Sequence, residues 1–179
     1  MDLIYGLDPG AKGAIAAVDA ETGALVKYKT FPTIDKKEPD LKATTDMLRE
    51  FISQPCQIWI EELHALGLVK ASSNFKLGQH FGFLTGCIYG MGHELMFVKP
   101  KTWQKKIWQI NEFEWTNPGE KDSKAISLKA ANRLFPEHDF LDKDCKRCRA
   151  AHDGIVDSAL IAYYGFLNRK YENESVIRQ

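Results

Sequence analysis

The sequence predicts an α/β domain built on a mixed five-stranded sheet, its first three strands antiparallel and its faces flanked by helices. Three observations predict it. Three short apolar segments follow one another at the start of the chain, separated by turn signals. Beyond residue 40, segments of helical period alternate with apolar strand segments. The last long segment, "HDGIVDSALIAYYG" (152–165), is apolar almost all round from Ile155 onward, as a helix buried in a core is.

"LIYGLDPG" reads as a strand ending in the turn signal Asp-Pro-Gly. "GAIAAVDAETGALVKYKTF" reads as two further strands joined by a turn at "AETG". "DLKATTDMLREFIS" places Leu41, Met47, Leu48, Phe51 and Ile52 at helical spacing, with Asp40 as N-cap and Pro55 as the stop. "CQIWIEEL" is a fourth strand, apolar enough to lie centrally. Residues 70–92 form a long helix, "MFVKP" a fifth strand, and "KTWQKKIW" a short helix. A further helix within "NPGEKDSKAISLKAANRLFP" ends before Pro136, and a loop rich in Cys, Lys and Asp leads to the last helix.

With 179 residues, 44% hydrophobic and 27% charged, the chain has the size and composition of one folded domain. A single domain is expected over 1–170, and "YENESVIRQ" (171–179) as a frayed tail. The formal net charge of zero neither announces nor excludes a nucleic-acid partner. Charge is nevertheless uneven: Lys99 to Arg149 holds 12 Lys+Arg against 8 Asp+Glu. No basic leader precedes the first strand and no apolar run is long enough to span a membrane, so a cytoplasmic protein is expected, of a bacterium or a phage-infected cell, with an organelle left open. Cys56, Cys87, Cys145 and Cys148 are accordingly expected as thiols. Cys145, Cys148 and His152, with His138 nearby, have zinc-like spacing, but one Cys pair alone is weak support for a metal.

Four acids stand where a plain solvent-facing role does not explain them. Asp8 ends the first strand, Glu61 ends the fourth, and Asp153 and Asp157 open the last helix at i and i+4. Each has an ordinary alternative: a turn residue for Asp8, a strand-end acid for Glu61, caps and helix-dipole partners for the aspartates. Glu62 competes with Glu61. Together they suggest four carboxylates converging at one sheet edge, an arrangement that needs counter-charge. Hard divalent cations supply it, and two of them about 4 Å apart suit phosphodiester cleavage.

"LIYGLDPGAKGAIA", "IWIEELHA", "GQHFGFLTG", "VKPKTWQKKI" and "HDGIVDSALIAYYG" together resemble the RuvC-type Holliday-junction resolvases of the RNase H-like superfamily, in order over nearly the whole chain. The similarity points to the phage and organellar branch, whose final helix opens with two acidic positions four apart. Where bacterial RuvC has an acid three residues before the last, this chain has Gly154. The resemblance therefore implies Asp8, Glu61, Asp153 and Asp157 as the catalytic, metal-holding set, with His152 as the alternative to Asp153. It implies an RNase H-like fold, Mg²⁺ or Mn²⁺ at two ions per site, branched DNA as substrate, and a homodimer nicking two opposed strands of a four-way junction. RNA–DNA hybrid or flap cleavage and a non-catalytic junction-binding module are the alternatives. "GLDPGAKGA" also faintly resembles the phosphate loop of actin-like ATPases, for which the chain lacks room.

Lysines that neutralise phosphates and aromatics that stack on bases are the expected DNA-contacting types. The candidates are Lys12, Lys101, Lys105, Lys106, Lys121 and Lys124, with Lys99, Lys129 and Arg133 in the same basic stretch. Trp103, Trp108 and Trp115 lie among them, either stacking on DNA or anchoring a short helix. Gly78, Gly82, Gly86 and Gly90 recur at four-residue spacing in the long helix, at a cost of about 1 kcal/mol each against alanine. Such a stripe invites close approach, either by the protein's own sheet or by a second subunit.

Overall fold

Alternation along the strands sorts the core into two halves. In the computed structural model, β1 (Leu3–Asp8) sends Tyr5 and Leu7 to one face and Ile4 to the other. The structure describes residues 2–10, 12–35, 38–52, 56–63, 70–145 and 147–177; Pro55, the expected stop of the first helix, lies outside them. β1 pairs antiparallel with β2 (Ala14–Asp19), which pairs antiparallel with β3 (Leu25–Thr30). The expected turn joins them: Asp19 Oδ1 accepts from Thr22 N at 2.8 Å, and Gly23 takes φ +75°. On its other side β1 runs parallel to β6 (Gln57–Glu61), and β6 parallel to β7 (Glu94–Val98). The order is β3-β2-β1-β6-β7, a mixed five-stranded sheet with three antiparallel strands. Two short hairpins stand outside it, β4 (Thr33–Ile34) with β5 (Glu38–Pro39), and β8 (Trp115–Asn117) with β9 (Glu120–Lys121).

One face is covered by α1 (Leu41–Phe51) and α2 (Ala71–Gly90). Asp40 caps α1 by accepting from Ala43 N at 2.9 Å, and Thr44, Met47, Leu48 and Phe51 form its buried stripe. The other face is covered by α3 (Pro100–Ile107), α4 (Ser123–Leu134) and α5 (Asp153–Ile177). The backbone of α5 stays helical through Ile177, into the stretch expected as tail. Among the described residues no helix is long and apolar enough to cross a membrane.

Glycine decides how closely α5 lies on the sheet. A Cβ at Gly6 would sit 2.2 Å from Ala162 N and 2.3 Å from Ser158 O, so the helix backbone rests on the strand backbone there. A Cβ at Gly165 would meet Trp59 at 2.3 Å. The α2 stripe is the opposite case. Among the described residues, a Cβ at Gly78, Gly82, Gly86 or Gly90 would meet nothing within 4 Å. The protein's own sheet is therefore not the partner of that stripe; His80, Leu84 and Ile88 face the core instead.

The thiol expectation fails for one pair. Cys145 and Cys148 form a disulfide, while Cys56 and Cys87 are free. The turn closed by Cys148 N donating to Cys145 O brings the two Cα atoms to 5.4 Å, within disulfide reach, and local geometry overrides the inference from composition. With both sulfurs bonded to each other, no thiolate is left there for zinc.

Candidate active site

Strand parity places two of the four expected acids. Asp8 has the parity of Ile4 and Gly6, which face α5. Glu61 has the parity of Trp59, which packs with the α5 half of the core, whereas Ile58 and Ile60 point the other way. Because β1 and β6 are parallel with Leu7 opposite Ile60, Asp8 and Glu61 finish side by side at one edge, facing one helix. Glu62 takes the other parity and its backbone N–H donates to Val98 O.

α5 brings the other two. Asp153 is its first residue and Asp157 lies one turn on. At Gly154, between them, a Cβ would lie 2.5 Å from Lys12 O and 3.1 Å from Asp8 Oδ2. The crowding explains why no acid stands three residues before Asp157: the backbone at Lys12 and Gly13 occupies that space. The i, i+4 pair is the arrangement this packing admits.

Each carboxylate is held differently. Asp8 Oδ1 accepts from Gly10 N at 2.9 Å, yet burial raises its pKa above the usual carboxylate value. Glu61 Oε2 accepts from Trp103 Nε1 at 2.7 Å, and burial, helped by the charge of Asp8, pushes its pKa up to about 7. Burial pushes Asp157 up to about 8, with Asp8 the next cause; Ser127 hydrogen-bonds its carboxylate, and Glu61 and Asp153 add repulsion. Asp157 Oδ1 is buried with no hydrogen-bond partner. Asp153 is exposed and pairs with Lys124 Nζ at 2.5 Å. A pocket of about 140 Å³ separates α4 from α5, lined by Lys124, Ser127, Asp153 and Asp157 among others.

The four expected acids thus lie toward one sheet edge: the charge of Asp8 reaches Glu61, that of Asp153 reaches Asp8, and those of all three reach Asp157. They do not close into a finished cage: among the described residues no three His, Cys, Asp or Glu stand together in metal-holding geometry. Asp153 is ion-paired to Lys124, and Glu61 accepts from Trp103 of α3. His152 comes close enough to Asp8 for its charge to lower that pKa, and its Nδ1 is buried without a partner. Three raised carboxyls and an orphaned oxygen are what a set of hard oxygen donors lacking its counter-charge shows, so the residues fit divalent cations.

The lysines divide. Lys124 reaches the acids directly, and Lys12 lies exposed beside them. Lys101, Lys105 and Lys106 are exposed on α3. Lys121 sits on the β8–β9 hairpin with its Nζ 3.5 Å from the Phe113 ring centre. Trp103 is 1% exposed and serves the core, which settles its alternatives in favour of anchoring. Trp108 packs edge-on against Trp103. Sequence reasoning missed Trp103 as the donor that orients Glu61 and Ser127 as the partner of Asp157. For Ser127 a signal existed: it is a hydroxyl on the buried stripe of α4, beside Ile126 and Ala130.

No protein-family model matches the chain, and no curated sequence matches it. Solved structures do. The chain has the RuvC-type resolvase fold, an RNase H-like mixed sheet flanked by helices. It superposes on Thermus thermophilus RuvC in complex with a Holliday junction substrate with TM-score 0.62 at 14% identity, covering 95% of this chain and 96% of that one. Fowlpox virus resolvase, solved with substrate Holliday junction DNA, gives TM-score 0.53 at 13% identity over 92% and 99%. The yeast mitochondrial Holliday junction resolvase Ydc2 gives 0.55 at 15% over 93% and 80%.

Proposed function

We propose that this protein is a metal-dependent endonuclease that resolves four-way DNA junctions, working as a homodimer that nicks two opposed strands symmetrically. The observation that carries the reading is the meeting of Asp8, Glu61 and Asp157 at one sheet edge of a RuvC-type fold, each carboxyl raised by burial. The Holliday junction DNA bound to two of the fold neighbours supports branched DNA as the substrate class.

In this reading Asp8, Glu61, Asp153 and Asp157 would hold Mg²⁺ or Mn²⁺, whose chemistry there would be counter-charge for the carboxylates and a more acidic water for phosphodiester hydrolysis. The chain's own groups do the rest. Trp103 and Ser127 hydrogen-bond Glu61 and Asp157 and so orient two of the four carboxylates. Lys124, exposed and ion-paired to Asp153, is placed to meet a phosphate at the edge of the acids. Lys12, Lys101, Lys105, Lys106 and Lys121 extend the phosphate-binding surface. The homodimer finds support in the open glycine face of α2, where a second backbone could approach.

The test offers a synthetic four-way junction and an RNA–DNA hybrid to wild type and Asp8→Asn in Mg²⁺. Wild type is expected to cut the junction, and Asp8→Asn to lose about three orders of magnitude of rate, roughly 4 kcal/mol, while binding the junction normally in EDTA. Undiminished cutting by Asp8→Asn overturns the carboxylate assignment. Preferential cutting of the hybrid overturns the substrate.

A further inference from the structure

Of the three tryptophans in the basic segment, Trp115 stays in water, 54% exposed. It opens β8 and stands directly opposite Lys121 of β9. The Lys121 ammonium lies 3.5 Å from the Phe113 ring centre and 5.9 Å from that of Trp115, so a cation is laid along two aromatic faces. Ile110, on the approach to the hairpin, is 86% exposed.

The hairpin is tied by its turn, its base and the helix that follows it. Gly119 takes φ +87° in its turn, where other side chains are strained. Asn117 donates to Glu120 at 2.9 Å across it. Its base is closed by Asp122 N donating to Glu114 O at 2.9 Å, and Glu114 is ion-paired to Lys129. Asp122 is also the N-cap of α4, accepting from Ala125 N. Two residues further on is Lys124, which touches Asp153. The exposed ring is therefore joined to the carboxylate edge through the hairpin base and the first turn of α4.

Charge identifies the partner. From Lys99 to Arg133 there are eight Lys+Arg and four Asp+Glu. Glu112 and Glu114 are ion-paired to Arg133 and Lys129, Asp122 is spent on its cap, and Glu120 on Asn117. Protein-binding patches are enriched in aromatics but depleted in lysine. Surfaces for unpaired nucleic acid combine lysines with exposed rings, because every base offers a π-face to stack on.

We infer that the β8–β9 hairpin is a second DNA contact, in which Trp115 stacks on an unpaired base near the branch point while Lys121 neutralises the adjoining phosphate. This rests on the junction-nuclease reading and adds to it a reader of unpaired bases beside the cutting edge.

The test measures binding in EDTA, without cleavage, to a four-way junction with unpaired thymines at its exchange point, a single-stranded oligonucleotide and a blunt duplex. Trp115→Ala is expected to bind the first two about tenfold more weakly and the duplex within about twofold of wild type. Trp115→Phe should stay within about threefold of wild type. Lys121→Ala should lower the slope of log affinity against log salt by about one, and Trp115→Ala should leave that slope unchanged. Thermal unfolding of both variants should match wild type, the side chains being exposed. If wild type binds none of the DNAs, the nuclease reading itself falls and the hairpin role with it. If wild type binds and Trp115→Ala binds equally well, the hairpin role is overturned while the nuclease reading stands. A loss equal on duplex and single strand, or a loss that phenylalanine does not rescue, overturns base stacking, and an unchanged slope for Lys121→Ala overturns the phosphate contact.

Discussion

Helices α5 and α2 lie on opposite faces of the same sheet, and both carry glycines, yet the glycines do opposite things. On α5, Gly154 and Gly165 are filled by neighbours: the Lys12 carbonyl at 2.5 Å and the Trp59 ring at 2.3 Å from where a Cβ would be. Gly6 on β1 completes the contact from below. On α2, four glycines at regular spacing meet open space. The first set fixes a helix against its own sheet, and with it two carboxylates against Asp8 and Glu61. The second set leaves a smooth backbone face that no described residue covers. A glycine in a helix thus marks close approach, and whether the approaching backbone is internal or external is a tertiary question.

The largest effect is expected where the internal contact is tightest. Gly6→Ala places a methyl inside the α5 backbone and should destabilise the fold by about 3 kcal/mol or more, seen as an earlier denaturation midpoint; an unchanged midpoint breaks the claim that α5 rests on β1 there.

Next comes the charge that this packing buries. The carboxyls of Glu61 and Asp157 titrate near 7 and 8 in the folded protein, above their unfolded values. The folded state therefore holds more protons than the unfolded one between about pH 4 and pH 8, so metal-free stability should fall as pH rises through that window. Melting temperature should drop by several degrees between pH 5 and pH 8, at about 2–4 °C per kcal/mol. Mg²⁺ should recover much of the loss at pH 8 by binding the folded state alone. Asp157→Asn should flatten the pH profile, and a flat wild-type profile contradicts the burial described.

The smallest effect separates the two glycine sets. Gly82→Ala adds a methyl into empty space, so the subunit should gain up to about 1 kcal/mol from helix propensity. Self-association, followed by sedimentation, should weaken if the α2 face is the dimer contact. Tighter association of the variant removes α2 from the interface.

Much of the site was legible in the chain. The ends of the apolar segments "LIYGLD" and "QIWIE" put Asp8 and Glu61 at the ends of two strands, and i, i+4 spacing puts Asp153 and Asp157 on one side of a helix. Local spacing determines such facts, so they survive without coordinates. The hairpin β8–β9 was not legible, its strands being three and two residues long and short of any readable period. Trp103 shows the other limit: its apolar neighbours mark it as an anchor, but that its indole N–H meets Glu61 depends on how α3 crosses the end of β6.

The sequence by itself determined the five sheet strands and five helices in order, the three antiparallel strands, the place of each acid at the end of an element and the basic character of residues 99–149, because these follow from period, turn chemistry and composition. Only the tertiary structure decided that Gly154 excludes an acid, that Cys145 and Cys148 join, that the α2 glycines face outward, and that Trp115 rather than Trp103 meets solvent. Each of these turns on a distance of a few ångströms between atoms brought together by packing, and spacing along the chain carries no record of that distance.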